Sequence, residues 1–544
     1  MPLPFAAVLV NRGVRTAQES RSFLKPDRSM LCDPFLLPDI EPALDRLRRA
    51  LAEREPVFVC GDYDVDGITS IVLVSRCLRA AGLDVGFYIP NRVRDGYGLS
   101  RKGIDAAESS GSRLIVTVDS GVTGHAEIAD AASRGIDVIV TDHHEPQESL
   151  PPALAVVDPK RKDSRYPFKH LAGVGVAFKI MEALARDSHE IAYTVEENTD
   201  LVAVGTIADI VPLKSENRVL TVLGLERLRR TANAGLRSLM EVADVEPAGA
   251  RASHIGFALG PRLNAAGRIS EAGIGVELLT TDDPMRAGEI ARELDKKNKQ
   301  RRELEARVLG EAERLIEEEV DLSTSRSIVL WSSGWHPGVI GIVASRIAKQ
   351  HNRPTILFSV ANGLAKGSGR SIHGFDLHAA LFRCREHITS FGGHRHAAGV
   401  TLDPDHLEPF RDCLEAAVSR DLRDEDLAPI VEIDAAVRLS ECDFDLVGLL
   451  KKVRPFGAGN PEPVFGTSGV KVISAKIVGN GHLKMTVSQG ERTMDAIGFG
   501  MADSIEEIRA SGGMVSLAYV LDENTWRGET NLQLRLKDVQ AEEY

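Results

Sequence analysis

The stretch VFVCGDYDVDG (residues 57–67) joins a short apolar run to three alternating aspartates, Asp62, Asp64 and Asp66. Three carboxylates this close repel one another unless a cation lies among them. An EF-hand calcium loop starting at Asp62 would follow a helix and would carry a glutamate at its last ligand position, where this chain has Leu73. The stretch therefore predicts a buried strand that leads into a cation site of another kind.

Apolar runs alternate with helix-length segments through the first third of the chain. The runs cover residues 57–60, 85–89, 114–118 and 137–141. This alternation is typical of βαβ units, and it predicts an α/β fold with a doubly wound parallel sheet. In such a sheet, ligands bind beyond the carboxyl ends of the strands.

Carboxylates and imidazoles follow these runs. They are Asp62, Asp64, Asp66, Asp119, Asp142, His143 and His144. A further apolar stretch, LVAVGTIADIVPL (201–213), contains Asp209, and we interpret it as another strand. One aspartate at a strand end is usually a helix N-cap, but four such ends together indicate a metal centre. Oxygen ligands with one or two imidazoles and no thiolate favour Mn²⁺ or Mg²⁺, and the set could hold two ions about 4 Å apart, as in phosphoester hydrolysis.

The formal charge of −13 argues against a nucleic-acid partner, but the distribution of charge argues for one. Residues 322–400 contain nine Lys or Arg and two acids, a balance of +7, together with seven of the fifteen histidines. The run KKNKQRR (296–302) adds five positive charges. We predict a polyanion-binding surface on residues 322–400, whereas a solvated helix face explains residues 296–302 equally well.

Composition indicates a cytoplasmic protein without a membrane segment. Six scattered cysteines with no C-x-x-C pair argue against zinc and disulfides and suit a reducing compartment. The opening MPLPFAAVLVNRG has an apolar stretch too short to span a membrane and lacks a basic leader. A chain of 544 residues is expected to form roughly two to four domains.

Several motifs follow one another in a fixed order. The first are DYDVDG, VDSG, TDHH and ADIVPL; the later ones are GPRLNAAGR (260–268), GWHPGVIGIVASRIA (334–348), GSGRS (367–371), FGGHRHAAG (391–399) and PFGAGNPEPVF (455–465). The series resembles the DHH phosphoesterase superfamily and, within it, the bacterial RecJ single-strand exonucleases. Any one motif is weak support, whereas the ordered series is specific and covers nearly the whole chain.

The resemblance implies a two-metal centre. The implied ligands of two Mn²⁺ or Mg²⁺ ions are Asp64, Asp66, Asp119, His143 and Asp209. Asp119 would bridge the ions, and His144 would face the scissile phosphate. Asp62 is either a ligand or a residue that orients one. Asp142 either hydrogen-bonds a ligand imidazole, which we favour, or caps a helix. Cys60 stands where related phosphatases carry a metal-binding histidine, and we interpret it as a buried strand-end residue.

The resemblance also implies a substrate-binding DHHA1 domain, whose glycine-rich motifs let the backbone approach an anion closely. The expected phosphate and nucleotide contacts are Arg370, Ser371, His394, His336, Arg268, Arg92 and Tyr97. For Arg92 and Tyr97, an ordinary surface loop is nearly as good an explanation.

Beyond residue 430, segments such as HLKMTVS and NLQLRLKDV alternate apolar and polar residues, which predicts a small β-barrel. The resemblance makes this barrel an OB-fold that follows single strands. Trp526, which we place in the loop between the last two strands, would stack on a base or simply cover the barrel edge.

We expect four parts: a DHH catalytic domain with an N-terminal extension (1–283), a connecting helix (284–320), a DHHA1 domain (321–429) and an OB-fold domain (430–544). The resemblance implies a monomeric 5′→3′ exonuclease that hydrolyses single-stranded DNA to mononucleotides in repair and recombination. Single-strand-binding protein and a helicase are the expected partners. A phosphodiesterase for short oligonucleotides or cyclic dinucleotides is one alternative, which the barrel disfavours. A non-catalytic DNA-binding scaffold is another, which the complete ligand set disfavours.

Overall fold

The structure, a computed structural model, describes residues 1–91, 96, 98–269, 273–510 and 512–542, without the side chains of Ile269 and Trp526. The predictions for Arg92 and Tyr97 therefore lie outside the described residues. The chain forms two compact units, described separately below. One comprises Met1–Pro261, Ala272–Glu289 and Val431–Tyr544, and the other comprises Arg262–Glu271 and Ile290–Ile430.

A parallel five-stranded sheet of order β2-β1-β3-β4-β5 lies in the first unit. Its strands are β1 (Val57–Gly61), β2 (Val85–Tyr88), β3 (Leu114–Val118), β4 (Asp137–Thr141) and β5 (Ala155–Val157). The central strands β1 and β3 are buried throughout, which is why they consist of nearly continuous apolar residues. The predicted parallel sheet is confirmed; the short strand β5 is an addition.

The described part of the chain up to residue 280 also forms helices. They are α1 (Leu3–Asn11), α2 (Ala17–Leu24), α3 (Ile40–Glu53), α4 (Val65–Ala80), α5 (Arg101–Ser109), α6 (His125–Ser133), α7 (Gly173–Leu184), α8 (His189–Glu197), α9 (Thr199–Ala208), α10 (Ser215–Leu228), α11 (Ala234–Val242), α12 (Ala252–His254), α13 (Gly260–Ile269) and α14 (Gly273–Thr280). None of the helices within the described residues combines the length and the apolar character needed to cross a bilayer.

The apolar stretch at residues 201–213 is not a strand, and that prediction was wrong. Its first part forms α9, and Asp209 is the residue that follows this helix. Leu201, Val202 and Val204 are fully buried, because α9 packs against both α4 and α10. A helix buried on every side has the same continuous apolar pattern as a central strand, so periodicity alone does not separate them.

The long helix α15 (Pro284–Glu319) precedes the sheet of the second unit. This sheet has the order β6-β7-β8-β10-β9, with β6 and β7 parallel and the other pairs antiparallel. Its elements are β6 (Ile328–Ser332), β7 (Thr355–Ala361), β8 (Leu364–Arg370), β9 (Ser390–His394), β10 (Ala397–Leu402), α16 (Ile340–His351), α17 (Leu377–Arg383) and α18 (Leu407–Asp421).

The structure corrects the expectation that the chain has no disulfide, because Cys384 and Cys413 are bonded. They are 29 residues apart in sequence, and the packing of α17 against α18 brings them together. Since neither residue belongs to a short-range cysteine pattern, spacing gave no sign of this bond.

The C-terminal region forms a closed barrel within the first unit. The sheet order is β11-β12-β13-β14-β16-β15, and an additional β12–β15 pairing closes it, as expected for an OB-fold. The elements are β11 (Ala435–Ala436), α19 (Phe444–Lys451), β12 (Phe465–Val478), β13 (His482–Gln489), β14 (Arg492–Gly498), α20 (Ser504–Ala510), β15 (Met514–Trp526) and β16 (Glu529–Ala541). Trp526 is the last residue of β15 rather than part of the following loop, which corrects its predicted position.

Helix α1 packs into the core of this barrel. Phe5, Val8 and Leu9 are buried in one cluster with barrel residues such as Phe465. Beyond the helix, Arg12 and Asp434 form a nearly buried ion pair with an N–O distance of 2.8 Å. The first residues of the chain and the barrel therefore share one hydrophobic core.

Candidate metal centre and phosphate site

Acidic residues and histidines converge at one edge of the first sheet. Asp62 and Asp64 follow β1, Asp119 follows β3, and Asp142–His144 follow β4. Because β1, β3 and β4 are neighbours and parallel, their carboxyl ends meet at the same edge. Asp209, at the end of α9, reaches the same place from outside the sheet.

His143 lies at the centre of this group. Its Nε2 atom is 3.0 Å from Asp119 Oδ1, 3.7 Å from Asp209 Oδ2 and 4.0 Å from Asp66 Oδ2. Three sets of residues each offer ligand-type atoms, and within each set these atoms lie within 4.8 Å of one another. The sets are Asp66, His143 and Asp209; Asp62, Asp64 and Asp119; and Asp119, His143 and His144. Asp119 belongs to two of these sets, which is the arrangement that a carboxylate shared by two cations requires.

The electrostatics of the edge match a divalent cation. Burial, reinforced by the charge on Asp64, raises the pKa of Asp66 to about 7. Burial and the neighbouring carboxylates also raise the pKa of Asp119 and Asp209 well above the usual value. Burial lowers the pKa of His143 to about 3, which keeps its imidazole neutral and able to bind a metal. Nε2 of His143 and Oδ2 of Asp209 are buried without a hydrogen-bond partner among the described atoms, so a cation fits them.

Backbone groups hold two of the carboxylates. Both oxygens of Asp66 accept hydrogen bonds from the first turn of α7, Oδ2 from Gly173 N at 2.7 Å and Oδ1 from Val174 N at 2.8 Å. Asp64 caps α4, since its Oδ1 accepts hydrogen bonds from the N–H groups of Asp66 and Gly67. Each carboxylate keeps lone pairs that remain available for a metal.

Asp119 has a left-handed backbone, with φ of +56°, a conformation that non-glycine residues rarely adopt. Its side chain lies against Gly173, where an added Cβ would be only 2.6 Å from Asp119 Cβ and Oδ1. A glycine is therefore required at the start of α7. No sequence pattern marks Gly173, because its neighbour Asp119 lies 54 positions earlier in the chain.

Asp142 orients His144. The Oδ1 atom of Asp142 lies 2.7 Å from Nδ1 of His144 and also accepts the backbone N–H groups of His143 and His144. Burial acts to raise the pKa of Asp142, but the hydrogen bond with His144 outweighs it and lowers this pKa to about 2. Burial acts to lower the pKa of His144, but the same hydrogen bond raises it. The His144 side chain is 45% exposed, whereas His143 is buried, so His144 is the imidazole that an incoming substrate can reach.

Cys60 is buried at the end of β1.

Asp158 follows β5 at the same sheet edge; this strand has only three residues, too few to be recognised from the sequence. The residue is fully buried. Its Oδ1 accepts a hydrogen bond from Lys160 N, whereas Oδ2 has no hydrogen-bond partner among the described atoms. Burial raises the pKa of Asp158 to about 8.

This raised pKa predicts a pH-dependent stability. A carboxyl group that is protonated in the folded chain and ionised in the unfolded chain destabilises the fold as the pH rises from about 4 to about 8. We expect metal-free Asp158→Asn to be more stable than wild type by about 2 kcal/mol at pH 8 and equally stable at pH 4. Urea denaturation at both pH values measures this difference, and a difference that does not change with pH would contradict the assignment.

Two of the expected phosphate contacts end the strands on either side of β10 in the second unit, and one of them lies beside the start of α16. Arg370 ends β8 and His394 ends β9, and both pair with Ala397 of the intervening strand β10. A Cβ on Gly341, in the first turn of α16, would lie 3.2 Å from Nη2 of Arg370. A guanidinium beside the N-terminal turn of a helix is a suitable environment for a phosphate.

Three further expected contacts lie close to these. Ser371 follows Arg370, and its Oγ donates to Phe375 O at 2.9 Å. His336 Nδ1 accepts a hydrogen bond from Gly338 N at 3.0 Å, and Arg268 Nη1 donates to Gly338 O at 3.3 Å. Gly338 lies just before α16, so His336 and Arg268 lie at the same helix end as Arg370.

A cavity of about 850 Å³ lies next to Asp209, and nothing in the sequence indicated it. Ala208 and Ile210 line it from the end of α9, Phe257 from a π-helical turn (Ile255–Leu259), and Arg454 from the segment before the barrel. Ile210 has φ of +61° and is 74% exposed, which is unusual for a β-branched residue. The cavity therefore lies beside the end of α9 that carries Asp209.

Family models for three domains match separate parts of the chain. They are the N-terminal domain of the DHH family over residues 56–206, the DHHA1 domain over residues 325–420 and the RecJ OB domain over residues 433–538. Together with the carboxylate and histidine edge, these matches define a DHH-type protein that carries DHHA1 and OB domains.

Individual proteins similar to this chain show which family within the DHH class it belongs to. The single-stranded-DNA-specific exonuclease RecJ of Bacillus subtilis is 38% identical over 543 residues, which cover 99% of this chain and 68% of the relative. RecJ of Dickeya dadantii is 40% identical over 562 residues, which cover 99% of this chain and 96% of the relative. The crystal structure of Thermus thermophilus RecJ in complex with Mn²⁺ matches with a TM-score of 0.85 and 31% identity, over 99% of this chain and 76% of that one. The chain belongs to the RecJ family.

Proposed function

We propose that this protein is a metal-dependent exonuclease that hydrolyses single-stranded DNA from the 5′ end to mononucleotides, in DNA repair and recombination. The observation that carries the proposal is Asp119, whose carboxylate belongs to two ligand sets at the carboxyl edge of the sheet. Membership of the RecJ family supports the substrate, since the relatives above are named as single-stranded-DNA-specific exonucleases.

The proposed ligands of two Mn²⁺ or Mg²⁺ ions are Asp64, Asp66, Asp119, His143 and Asp209, with Asp62 in contact with the same group. When bound, such ions lower the pKa of a water and neutralise charge on the leaving oxygen. The chain itself contributes the orientation of these groups. Gly173 N and Val174 N fix Asp66, and Asp142 holds the half-exposed ring of His144 where a phosphate oxygen would reach it.

Substrate binding is assigned to the second unit and to the barrel. Arg370, Ser371 and His394 would hold a phosphate, with His336 and Arg268 beside them. Arg92, Tyr97 and Trp526 remain predicted nucleotide contacts. We retain the four parts 1–283, 284–320, 321–429 and 430–544 as proposed domains. We also propose a cytoplasmic monomer that works with single-strand-binding protein and a helicase; light scattering of the purified protein tests the monomer.

Digestion of end-labelled strands tests the activity. Single-stranded DNA and RNA of graded length are incubated with Mn²⁺, Mg²⁺ or a chelator, and the label is placed at either end. We expect mononucleotides from 5′-labelled DNA at the earliest times, and no product with the chelator. Cleavage restricted to dinucleotides would instead favour a short-substrate phosphodiesterase, and binding without cleavage would favour a scaffold.

The phosphate site gives a separate prediction. Arg370→Ala should weaken the binding of single-stranded DNA. It should also make the negative slope of log K against log salt shallower by about 0.7, because one phosphate contact is lost. Arg385→Ala serves as the matched control, since Arg385 is an exposed arginine of the same basic segment that stacks on Phe382. Fluorescence anisotropy at several salt concentrations measures both quantities. An affinity and a slope equal to those of the Arg385 variant would remove Arg370 from the site.

A further inference from the structure

Asn217, in the first turn of α10, is fully buried, and its side-chain amide lies between two backbone carbonyl groups. Its Nδ2 donates hydrogen bonds to His170 O at 2.5 Å and to Pro212 O at 3.1 Å. Because both partners are acceptors, the nitrogen must face them, and Oδ1 is buried without a hydrogen-bond partner among the described atoms. An asparagine with one unpaired polar atom is a costly way to fill a core. Packing alone therefore does not explain this residue.

The first carbonyl group belongs to the segment that orients His143. His170 directly precedes Leu171, and the ring of His143 donates a hydrogen bond to the backbone of Leu171. Nε2 of His143 faces Asp119 and Asp209 and has no hydrogen-bond partner among the described atoms, so the donor is Nδ1. An imidazole that donates from Nδ1 keeps the lone pair of Nε2 for a metal.

The second carbonyl group belongs to the loop that follows Asp209. Pro212 lies in this loop, and its carbonyl oxygen accepts a hydrogen bond from Lys214 N at 2.8 Å as well as the one from Asn217. Oδ2 of Asp209 is 3.7 Å from Nε2 of His143. The single amide group of Asn217 therefore connects the backbone supports of two proposed metal ligands that lie next to each other.

The residue before Asn217 fixes α10 against α7. Glu216 of α10 and Lys179 of α7 are fully buried and form an ion pair with an N–O distance of 2.9 Å. The other carboxylate oxygen of Glu216 accepts a hydrogen bond from Tyr166 Oη at 2.6 Å. Buried polar networks whose members are paired make a structure rigid. Asn217 is thus held in place relative to α7, whose first turn binds Asp66.

We propose that Asn217 is a positioning residue of the metal centre, which holds the His143 segment and the Asp209 loop at the separation that a cation between them requires. It acts through backbone carbonyl groups rather than as a metal ligand. Loss of such a supporting group typically lowers metal affinity by about 10- to 100-fold. The proposal rests on the proposed function for the assignment of His143 and Asp209 as ligands.

The test compares Asn217→Ser and Asn217→Ala with Asn233→Ser and Asn233→Ala in the full-length chain. Serine keeps one donor on a shorter side chain, and alanine keeps none. Asn233 is the matched control, because it is also buried and its Nδ2 donates to a backbone carbonyl, that of Leu279, at 2.9 Å. Leu279 belongs to α14, which carries none of the proposed ligands. Electron paramagnetic resonance of free Mn²⁺ measures the dissociation constant without DNA, and thermal unfolding in EDTA measures the stability of the metal-free chain.

We expect Asn217→Ser to raise the Mn²⁺ dissociation constant by about tenfold and Asn217→Ala by up to about 100-fold. Both Asn233 variants should bind Mn²⁺ as wild type does, although their Tm in EDTA also falls. In strand digestion, the Asn217 variants should regain kcat as Mn²⁺ is raised and should keep the wild-type KM for the strand.

Equal Mn²⁺ affinities in the Asn217 and Asn233 variants would overturn the proposal and leave Asn217 a role in folding alone. If Asn217→Ala does not fold, Asn217→Ser decides in the same way. If the wild type binds Mn²⁺ but cleaves no strand, the proposed function fails, whereas the comparison of Mn²⁺ affinities still decides about Asn217.

Discussion

Replacement of Asp119 by asparagine is expected to abolish strand hydrolysis, with a loss of at least about 10³-fold in kcat/KM. Asp119 belongs to two ligand sets, so a single substitution removes an anionic ligand from both. Asparagine is preferred to alanine because it tolerates the left-handed backbone that Asp119 adopts. Asp119→Ala should have the same effect on activity.

The fold should survive this change. In the metal-free chain, burial and the neighbouring carboxylates disfavour ionised Asp119, so the loss of its charge relieves repulsion. Wild type should gain about 2.7 kcal/mol of stability when Mn²⁺ is at a hundred times its dissociation constant, and Asp119→Asn should lose most of that gain. Asp105→Asn, at an exposed carboxylate paired with Arg134, is the control for loss of a charge. Substantial Mn²⁺-dependent activity in folded Asp119→Asn would refute the shared-ligand assignment.

Gly173→Ala is expected to reduce the rate of hydrolysis by about 10²-fold without removing any proposed ligand. The added methyl group would lie 2.6 Å from Asp119 Cβ and Oδ1, so either the carboxylate or the start of α7 must move. A displacement of about 1 Å at a catalytic group typically costs a factor of this size. Overpacking should also lower the free energy of unfolding by about 1–3 kcal/mol.

Gly175→Ala provides the matched control for that variant. Gly175 lies on the same helix, but a Cβ there would contact only the Leu171 side chain, at 3.4 Å or more. Its substitution should leave hydrolysis near the wild-type rate and stabilise α7 slightly, since alanine favours a helix over glycine. Equal rates for the two variants, each measured with saturating Mn²⁺, would show that Gly173 does not position Asp119.

Much of the metal centre followed from local sequence. Aspartates and histidines directly after short apolar runs predicted which side chains share a sheet edge, because parallel strands end on the same side. The structure brings Asp62, Asp64, Asp66, Asp119, His143 and His144 together there. Their roles as ligands stay predictions.

Features that depend on contacts between residues far apart in the chain could not be predicted from local sequence patterns. Asp209 was assigned to a strand because a helix enclosed by neighbours shows no amphipathic pattern. Gly173 matters only through its contact with Asp119, and the bond between Cys384 and Cys413 depends on how two helices pack.

The shared core of α1 and the barrel has a consequence for protein synthesis. Arg12 leaves the ribosome 422 residues before its ion-pair partner Asp434. At about 5–20 residues per second, the interval is roughly 20 to 85 s. Throughout that time Phe5, Val8 and Leu9 have no barrel to cover them, although the parallel sheet can already fold. The nascent chain therefore presents an uncovered apolar helix to chaperones until translation of the barrel is complete.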